Sequence, residues 1–173
     1  GIIENWNLIE ERYTPMLGSR NHDLCDFIAY SICRFSKDVA LGIASLMREL
    51  WAPVYKDSMD KHMYEANKQW SACEYSYRAT MNKQEEEIYN ELNESQKSVF
   101  RICRGLSLYE NKRTKSGEFF LSCRELGKRI GFSHEKAKRM LNEFSDELLL
   151  LQVIENGKAA GRKATIYKWS LRL

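Results

Sequence analysis

The most constraining feature of the sequence is a pair of helices joined by a very short turn. Ser122 and Glu125 have the S-x-x-E spacing of a capping box, which predicts a helix that runs to Ile130. Gly131 is expected to end this helix, because glycine readily adopts the left-handed conformation common at helix C-termini. Ser133 follows two residues later and is suited to cap a new helix. The chain therefore leaves one helix and enters the next through a single tight turn.

The second helix of this pair has one apolar face and one polar face. Its apolar positions follow the helical repeat, at Ala137, Met140, Leu141, Phe144 and Leu148. If these pack inward, the outward positions are His134, Glu135, Lys138, Arg139 and Asn142. Arginine and asparagine form paired hydrogen bonds with guanine and adenine edges, whereas lysine mostly binds phosphate.

Shorter elements surround the helix pair. A helix is expected around Val99 to Leu106, and a basic loop over 112–117. Strands are predicted at 118–121, 149–155 and 165–171. The dipeptide Asn156-Gly157 is a favoured hairpin turn, and the exposed tip that follows it is basic. The cations of this tip are Lys158, Arg162 and Lys163.

The order helix, strand, helix, turn, helix and hairpin resembles the winged helix-turn-helix family over residues 95–173. In that family the helix after the turn docks in the major groove and the wing contacts the backbone or the minor groove. The resemblance implies a DNA-binding surface, with double-stranded DNA as the favoured partner. The predicted contact residues are Ser133, His134, Lys138, Arg139, Asn142, Lys158, Arg162 and Lys163. Such folds also serve as protein-docking modules, which leaves an adaptor without nucleic acid contact as an alternative.

The distribution of charge agrees with an anion-binding C-terminal half. Residues 93–173 contain 17 Lys and Arg against 9 Asp and Glu, a balance of +8. Residues 1–92 contain 10 and 15, a balance of −5. Nucleic acid is the first partner to consider, because a protein that neutralises phosphates releases counterions.

The N-terminal half is dominated by helical periodicity. A short first helix is expected before Pro15, and a second one after the turn-like segment 18–21. Ser36 is suited to cap a third helix, and Asp57 or Ser58 is expected to begin a fourth. We predict a helical bundle over 1–82, an acidic connecting segment over 83–94 and a winged helix-turn-helix over 95–173. The acidic run Glu85 to Glu87 is interpreted as a solvated face. The expected fold class is mainly α with a small β-wing.

A short motif in the N-terminal half points to a specific family. Gly18, Arg20, Asn21 and Leu24 match the G-x-R-N-x-x-L signature of the primase C-terminal helical domain family, and the resemblance covers residues 14–78. Such domains follow the catalytic core of phage and plasmid primase-polymerases and precede a helicase or DNA-binding part. The resemblance implies that the chain belongs to a larger replication enzyme, with primase or helicase domains of the same polypeptide as partners.

The role of the Arg20–Asn21 pair is open at this point. Arg20 is suited to bind a nucleotide or template phosphate, because a guanidinium makes two parallel hydrogen bonds. Alternatively, Asn21 caps the helix and Arg20 bridges the bundle to an acidic neighbour, and caps are a common use of asparagine.

Several functional classes are disfavoured by the sequence. There is no G-x-x-x-x-G-K-[ST] motif for nucleotide hydrolysis and no catalytic nucleophile-base set. His22 and Cys25 lack further ligands, and the five cysteines form no C-x-x-C pair, so neither a metal nor another cofactor is expected. There is neither a long apolar run nor a signal peptide, so we expect no membrane contact and a cytoplasmic location.

The function expected from the sequence is therefore non-catalytic. The first hypothesis is a DNA-binding and coupling region of a phage-type or plasmid-type replication protein, associated with a primase or helicase. The alternative is a winged-helix transcriptional regulator with an N-terminal dimerisation or sensing domain. The oligomeric state and the DNA sequence stay open.

Overall fold

A computed structural model describes residues 2–157 and 164–171. The fold is mainly helical, with one small antiparallel sheet, as expected from the sequence. After a short 3-10 helix (Ile3–Asn5), the helices are α1 (Trp6–Arg12), α2 (Arg20–Ser31), α3 (Lys37–Leu50), α4 (Met59–Arg78), α5 (Lys83–Glu91), α6 (Glu94–Thr114), α7 (Cys123–Ile130) and α8 (His134–Asn142). The strands are β1 (Glu118–Leu121), β2 (Leu151–Glu155) and β3 (Thr165–Trp169), and a π-helical turn (Glu143–Glu147) follows α8.

Helices α1 to α4 form a bundle around an apolar core. Ser36 caps α3 by accepting a hydrogen bond from the Val39 amide at 3.2 Å, and Ser58 caps α4 by accepting one from the Lys61 amide at 3.2 Å. Helix α4 packs against both α2 and α3. The buried apolar side chains of the bundle include Phe27, Ile28, Ile43, Met47, Tyr55 and Trp70.

The C-terminal part has the element order of a winged helix-turn-helix. Its sheet has the strand order β1-β3-β2, and both pairings are antiparallel. Phe119 pairs with Tyr167, and Leu151 pairs with Trp169, so that these rings and the leucine share the buried face of the sheet. A second apolar core lies between this face and the helices, and includes Phe100, Cys103, Leu126, Leu141 and Phe144.

Helix α6 extends further than predicted. It runs to Thr114, and Lys115 ends it in the left-handed conformation with φ 65°. The predicted basic loop over 112–117 is therefore wrong in its first part. The polar side chains of Lys112 to Thr114 are exposed on the last helical turn, where the apolar pattern that marks a helix is missing.

The predicted connecting segment 83–94 is formed mainly by helix α5 and contains buried residues. Asn82 and Asn93 each form a full capping box, one with Glu85 and the other with Gln96, at the starts of α5 and α6. Tyr89 is fully buried in the C-terminal core, and Glu85 is 1% exposed. The prediction that Glu85 to Glu87 form a solvated face is therefore wrong for Glu85, whereas Glu86 and Glu87 are exposed. The division into domains at these residues stays a prediction.

Candidate nucleic-acid interface

The turn between α7 and α8 is shaped by glycine and by serine. Gly131 ends α7 with φ 75°, and Ser133 caps α8 by accepting a hydrogen bond from the Lys136 amide at 3.2 Å. Gly127 lies against this turn so closely that a Cβ atom would approach the Phe132 carbonyl oxygen to 2.7 Å. The turn therefore needs glycine at both positions, one for its conformation and one for the close approach.

The two faces of α8 are separated as predicted. Ala137, Met140 and Leu141 are buried, and Phe144 beyond the helix is fully buried. The opposite face is exposed at Ser133, His134, Glu135, Lys138, Arg139 and Asn142. The structure therefore brings five of the eight predicted contact residues together on one solvent-facing surface. Their role in binding stays a prediction.

The cations of this surface are not neutralised by the chain itself. Within residues 2–157 and 164–171, neither Lys138 nor Arg139 forms an ion pair. Lys138 also lies near Cys123, the first residue of α7. Burial raises the pKa of the Cys123 thiol, and the positive charge of Lys138 acts to lower it. Lys136, which was not among the predicted residues, places its Nζ 3.6 Å from the centre of the Phe132 ring.

Acidic side chains bound the surface at the far end of α8. An open cleft of about 710 Å³ lies between the start of α6 and the end of α8, and Arg139 lines it together with Glu143, Asp146 and Glu147. Gln96 donates a hydrogen bond to Glu143 across the cleft. Carboxylates repel anions, so this end of α8 is less suited to an anionic ligand than its first two turns, where Glu135 is the acidic residue of the exposed face.

The wing is described only at its base. The amide of Gly157 donates a hydrogen bond to the Thr165 hydroxyl at 3.1 Å, which joins the two arms of the hairpin. The predicted contact residues Lys158, Arg162 and Lys163 lie outside the described residues.

The helical bundle supports the back of the helix-turn-helix. The amide of Ser36 donates to the Arg129 carbonyl at 3.1 Å, and its hydroxyl donates to the Ile130 carbonyl at 3.3 Å. Asn5 donates to the Lys128 carbonyl at 3.4 Å. These carbonyls belong to the last turn of α7, where carbonyl oxygens have no amide partner within their own helix. The bundle thus fixes α7 immediately before the turn that leads to α8.

A buried polar network, which we call the junction, joins α6 to α2, α4 and α5. Arg101 donates from Nε to the Ile32 carbonyl at 2.9 Å and from Nη1 to the Tyr89 hydroxyl at 3.0 Å. The Tyr89 hydroxyl in turn donates to Glu74 at 2.7 Å. The Arg101 side chain is 2% exposed. Its Nη2 donates to the Ser98 hydroxyl at 3.3 Å, so that each nitrogen of the guanidinium has an acceptor inside the protein.

Arg104 and Glu85 form the second part of the junction. The Arg104 Nε lies 2.5 Å from Glu85 Oε2, and the two side chains are 4% and 2% exposed. Arg104 also donates to the Thr80 carbonyl at 2.9 Å, and Trp169 Nε1 donates to Glu85 at 3.2 Å. Burial acts to lower the pKa of Arg104, but the hydrogen bond to Glu85 and the neighbouring Tyr77 outweigh it, so that the pKa is raised.

The junction residues were missed by sequence reasoning. Arg101 and Arg104 stand among apolar residues in the stretch Val-Phe-Arg-Ile-Cys-Arg, and this placement was the available signal of burial. Both arginines count toward the +8 balance of residues 93–173. The positive charge that faces solvent is therefore smaller than the composition indicates.

Arg20 bridges the bundle, as one of the two alternatives predicted. Its Nη2 lies 2.6 Å from Asp57 Oδ2 and 2.6 Å from Glu65 Oε2, and its side chain is 7% exposed. Asn21 does not cap α2, because the helix begins one residue earlier, after Ser19. Asn21 instead accepts a hydrogen bond from Arg20. Two carboxylates already satisfy the guanidinium, which disfavours a phosphate there.

His62 lies beside Arg20 and is neutral. Its Nε2 donates to the Ala44 carbonyl at 2.8 Å, which leaves Nδ1 to accept a hydrogen bond from Arg20 Nη1 at 3.4 Å. Burial is the main cause that lowers the pKa of His62, and the charges of Arg20 and Arg48 act in the same direction.

Comparisons with protein-family models, with curated proteins and with solved structures found no match to this chain. Among the described residues, no group of three His, Cys, Asp or Glu side chains is arranged to hold a metal ion. None of the helices formed by these residues has the length and apolar character that a membrane crossing requires.

Proposed function

We propose that the chain is a non-catalytic DNA-binding and coupling region of a phage-type or plasmid-type replication protein that works with a primase or helicase. The observation that carries the DNA-binding part is the exposed, unneutralised cationic face of α8 behind a tight turn. Lys138 and Arg139 face solvent on a rigid helix whose other side is anchored in the core. Double-stranded DNA is the favoured ligand, because a helix of this size fits the major groove.

Coupling is supported by the contacts behind the turn. Ser36 and Asn5 bind the last carbonyls of α7, and the junction ties α6 to the bundle. A change in the position of the bundle would therefore be transmitted to α8. The G-x-R-N motif supports an association with a primase by its resemblance alone. Its arginine, Arg20, forms ion pairs with Asp57 and Glu65 and therefore gives no separate support for nucleic-acid binding.

Fluorescence anisotropy with a labelled random-sequence duplex tests the DNA-binding part. Lys138→Ala is expected to weaken all duplexes alike and to reduce the slope of log affinity against log salt by about 1. Arg139→Ala is expected to cost about 1–3 kcal/mol on a preferred duplex and to relax preference at one base pair. Lys83→Ala is the control, because Lys83 is an exposed cation on α5 that already has a carboxylate partner, with Glu87 Oε1 3.9 Å from its Nζ. Unchanged binding by both α8 variants would contradict the proposal.

The alternative function is a winged-helix transcriptional regulator that dimerises through its N-terminal helices. Exposed apolar side chains in the bundle favour it, namely Ile3, Leu8, Met16, Leu17 and Leu50. Solution mass measured with and without DNA separates the two, since dimeric regulators bind paired half-sites about one helical turn apart.

A further inference from the structure

One exposed side of α4 is lined by alternating cationic and tyrosine side chains. We call this surface the α4 stripe, and its residues are Lys61, Tyr64, Lys68, Ser71, Tyr75 and Arg78. Their spacing alternates between three and four residues, which keeps them on one side of a helix. The opposite side carries the buried residues His62, Ala66, Trp70 and Tyr77. The stripe is therefore the solvent face of a helix that is firmly packed in the bundle.

The two tyrosines of the stripe have no packing role in the described structure. Tyr64 is 69% exposed and Tyr75 is 80% exposed. Within residues 2–157 and 164–171, neither ring contacts another aromatic ring and neither hydroxyl forms a hydrogen bond. Of the residues three or four positions from Tyr75 on the helix, Ser71, Ala72 and Ala79 are small, and the fourth is Arg78. Most other tyrosines of the chain are buried, which sets this pair apart.

The charge of the stripe is suited to an anionic chain. Lys68 lies between the two rings, and it forms no ion pair with any residue that the structure describes. Two of the three acidic residues of α4 are engaged elsewhere, Glu65 with Arg20 and Glu74 with the Tyr89 hydroxyl. The third, Asp60, lies at the start of the helix. The middle of the stripe therefore carries the unpaired charge of Lys68, whereas at its ends Lys61 pairs with Asp57 and Arg78 donates a hydrogen bond to Asn90.

From this arrangement we propose that the α4 stripe is a second nucleic-acid site that binds single-stranded nucleic acid. Tyrosine rings stack on unpaired bases of any kind, and Lys68 between the two rings is placed to bind a phosphate. Tyr64 and Tyr75 are eleven residues apart, which places them about 16 Å apart along the helix axis. Paired bases in a duplex offer no open face to these rings, so the site selects single strands. This site is separate from the duplex surface on α8.

The test compares a labelled thymidine oligonucleotide, a labelled uridine oligonucleotide and a labelled duplex in anisotropy titrations of the full chain. The double variant Tyr64→Ala with Tyr75→Ala is expected to lower the affinity for the thymidine oligonucleotide at least about fivefold for each ring removed. The same variant is expected to bind the duplex as the unchanged protein does. Tyr64→Phe with Tyr75→Phe is expected to retain single-strand binding, because stacking needs the ring and not the hydroxyl. The uridine arm shows whether the site accepts RNA as well as DNA.

Tyr109→Ala is the matched control, since Tyr109 is a 60% exposed tyrosine on α6, outside the stripe. Lys138→Ala is expected to lower the affinity for the duplex and to leave the affinity for the single strand unchanged. This variant therefore separates failure of the stripe from failure of the α8 surface. The inference is overturned if the protein binds neither oligonucleotide. It is equally overturned if the double alanine variant binds them as tightly as the unchanged protein, or if Tyr109→Ala weakens them to the same extent. An unfolding curve for each variant excludes loss of fold as the cause.

Discussion

Positively charged side chains are buried in the junction but exposed on the outer face of α8. In the junction, Arg101 and Arg104 are buried and every guanidinium has acceptors within the protein. On α8, Lys138 and Arg139 are exposed and form no ion pair with the described residues. The comparison shows that net charge alone does not identify a binding surface. A cation is available to a ligand only where the fold leaves it exposed and without a carboxylate.

The largest expected effect on stability comes from removing Arg104, the buried partner of Glu85. Among the residues that the structure describes, Arg104→Ala leaves the buried Glu85 carboxylate with the Trp169 indole and the Asn82 backbone amide as hydrogen-bond donors. The loss of one member of a buried ion pair is expected to lower the free energy of unfolding by about 3–5 kcal/mol. Urea denaturation followed by circular dichroism measures the change.

The exposed pair Arg113–Glu110 supplies the control for this measurement. It also joins an arginine to a glutamate, at 2.8 Å, but the Arg113 side chain is 62% exposed. Arg113→Ala is expected to leave the free energy of unfolding close to that of the unchanged protein, because exposed ion pairs contribute little. Equal effects of Arg104→Ala and Arg113→Ala would show that burial does not distinguish the two pairs.

Arg20 is a third buried arginine, and it lies in the motif that resembles a primase signature. Its partners Asp57 and Glu65 are each about one third exposed, so water can solvate them once Arg20 is removed. Arg20→Ala is therefore expected to lower the free energy of unfolding by about 1–3 kcal/mol, less than Arg104→Ala. The affinity for duplex DNA is expected to stay unchanged. A large loss of duplex affinity in a folded Arg20→Ala variant would instead assign the residue to phosphate binding.

The parts of the structure that depend on local sequence were predictable. Ser36, Ser58, Ser122 and Ser133 all cap helices as expected, because a cap needs only a side chain and an amide three residues away. The full capping box predicted for Ser122 and Glu125 is formed only in its serine half, and the Glu125 side chain instead accepts a hydrogen bond from Arg129. Gly131 ends α7 for an equally local reason. The exposed face of α8 followed from helical periodicity, since each turn repeats the same geometry.

The parts that depend on distant contacts were not predictable from one sequence. Glu85 pairs with Arg104, nineteen residues away, and with Trp169, eighty-four residues away. Nothing in the run of three glutamates distinguishes Glu85 from its exposed neighbours until the partners are placed. The Arg20 contacts to Asp57 and Glu65 are of the same kind, and the sequence left that residue open between two roles.

The smallest expected effect concerns pH and the cluster around Arg20. The pKa of His62 is lowered from its ordinary value of 6.5, chiefly by burial, so the unfolded chain binds a proton more readily than the folded protein. The stability associated with the neutral ring is therefore complete above about pH 6.5 and declines as the pH falls below that value. A protonated ring would also place a second cation next to Arg20, 3.4 Å from its Nη1. The free energy of unfolding measured between pH 8 and pH 5 is expected to show this decline.

A variant without a titrating ring isolates the contribution of His62. His62→Gln retains an amide donor that is suited to the Ala44 carbonyl, and its stability is expected to depend less on pH over the same interval. The hydrogen bond from Lys61 lowers the pKa of Asp57 below 3.8, so the stability that this carboxylate contributes is lost only at more acidic pH and does not obscure the difference. Parallel curves for the two proteins would show that the buried cluster accepts a second positive charge without cost.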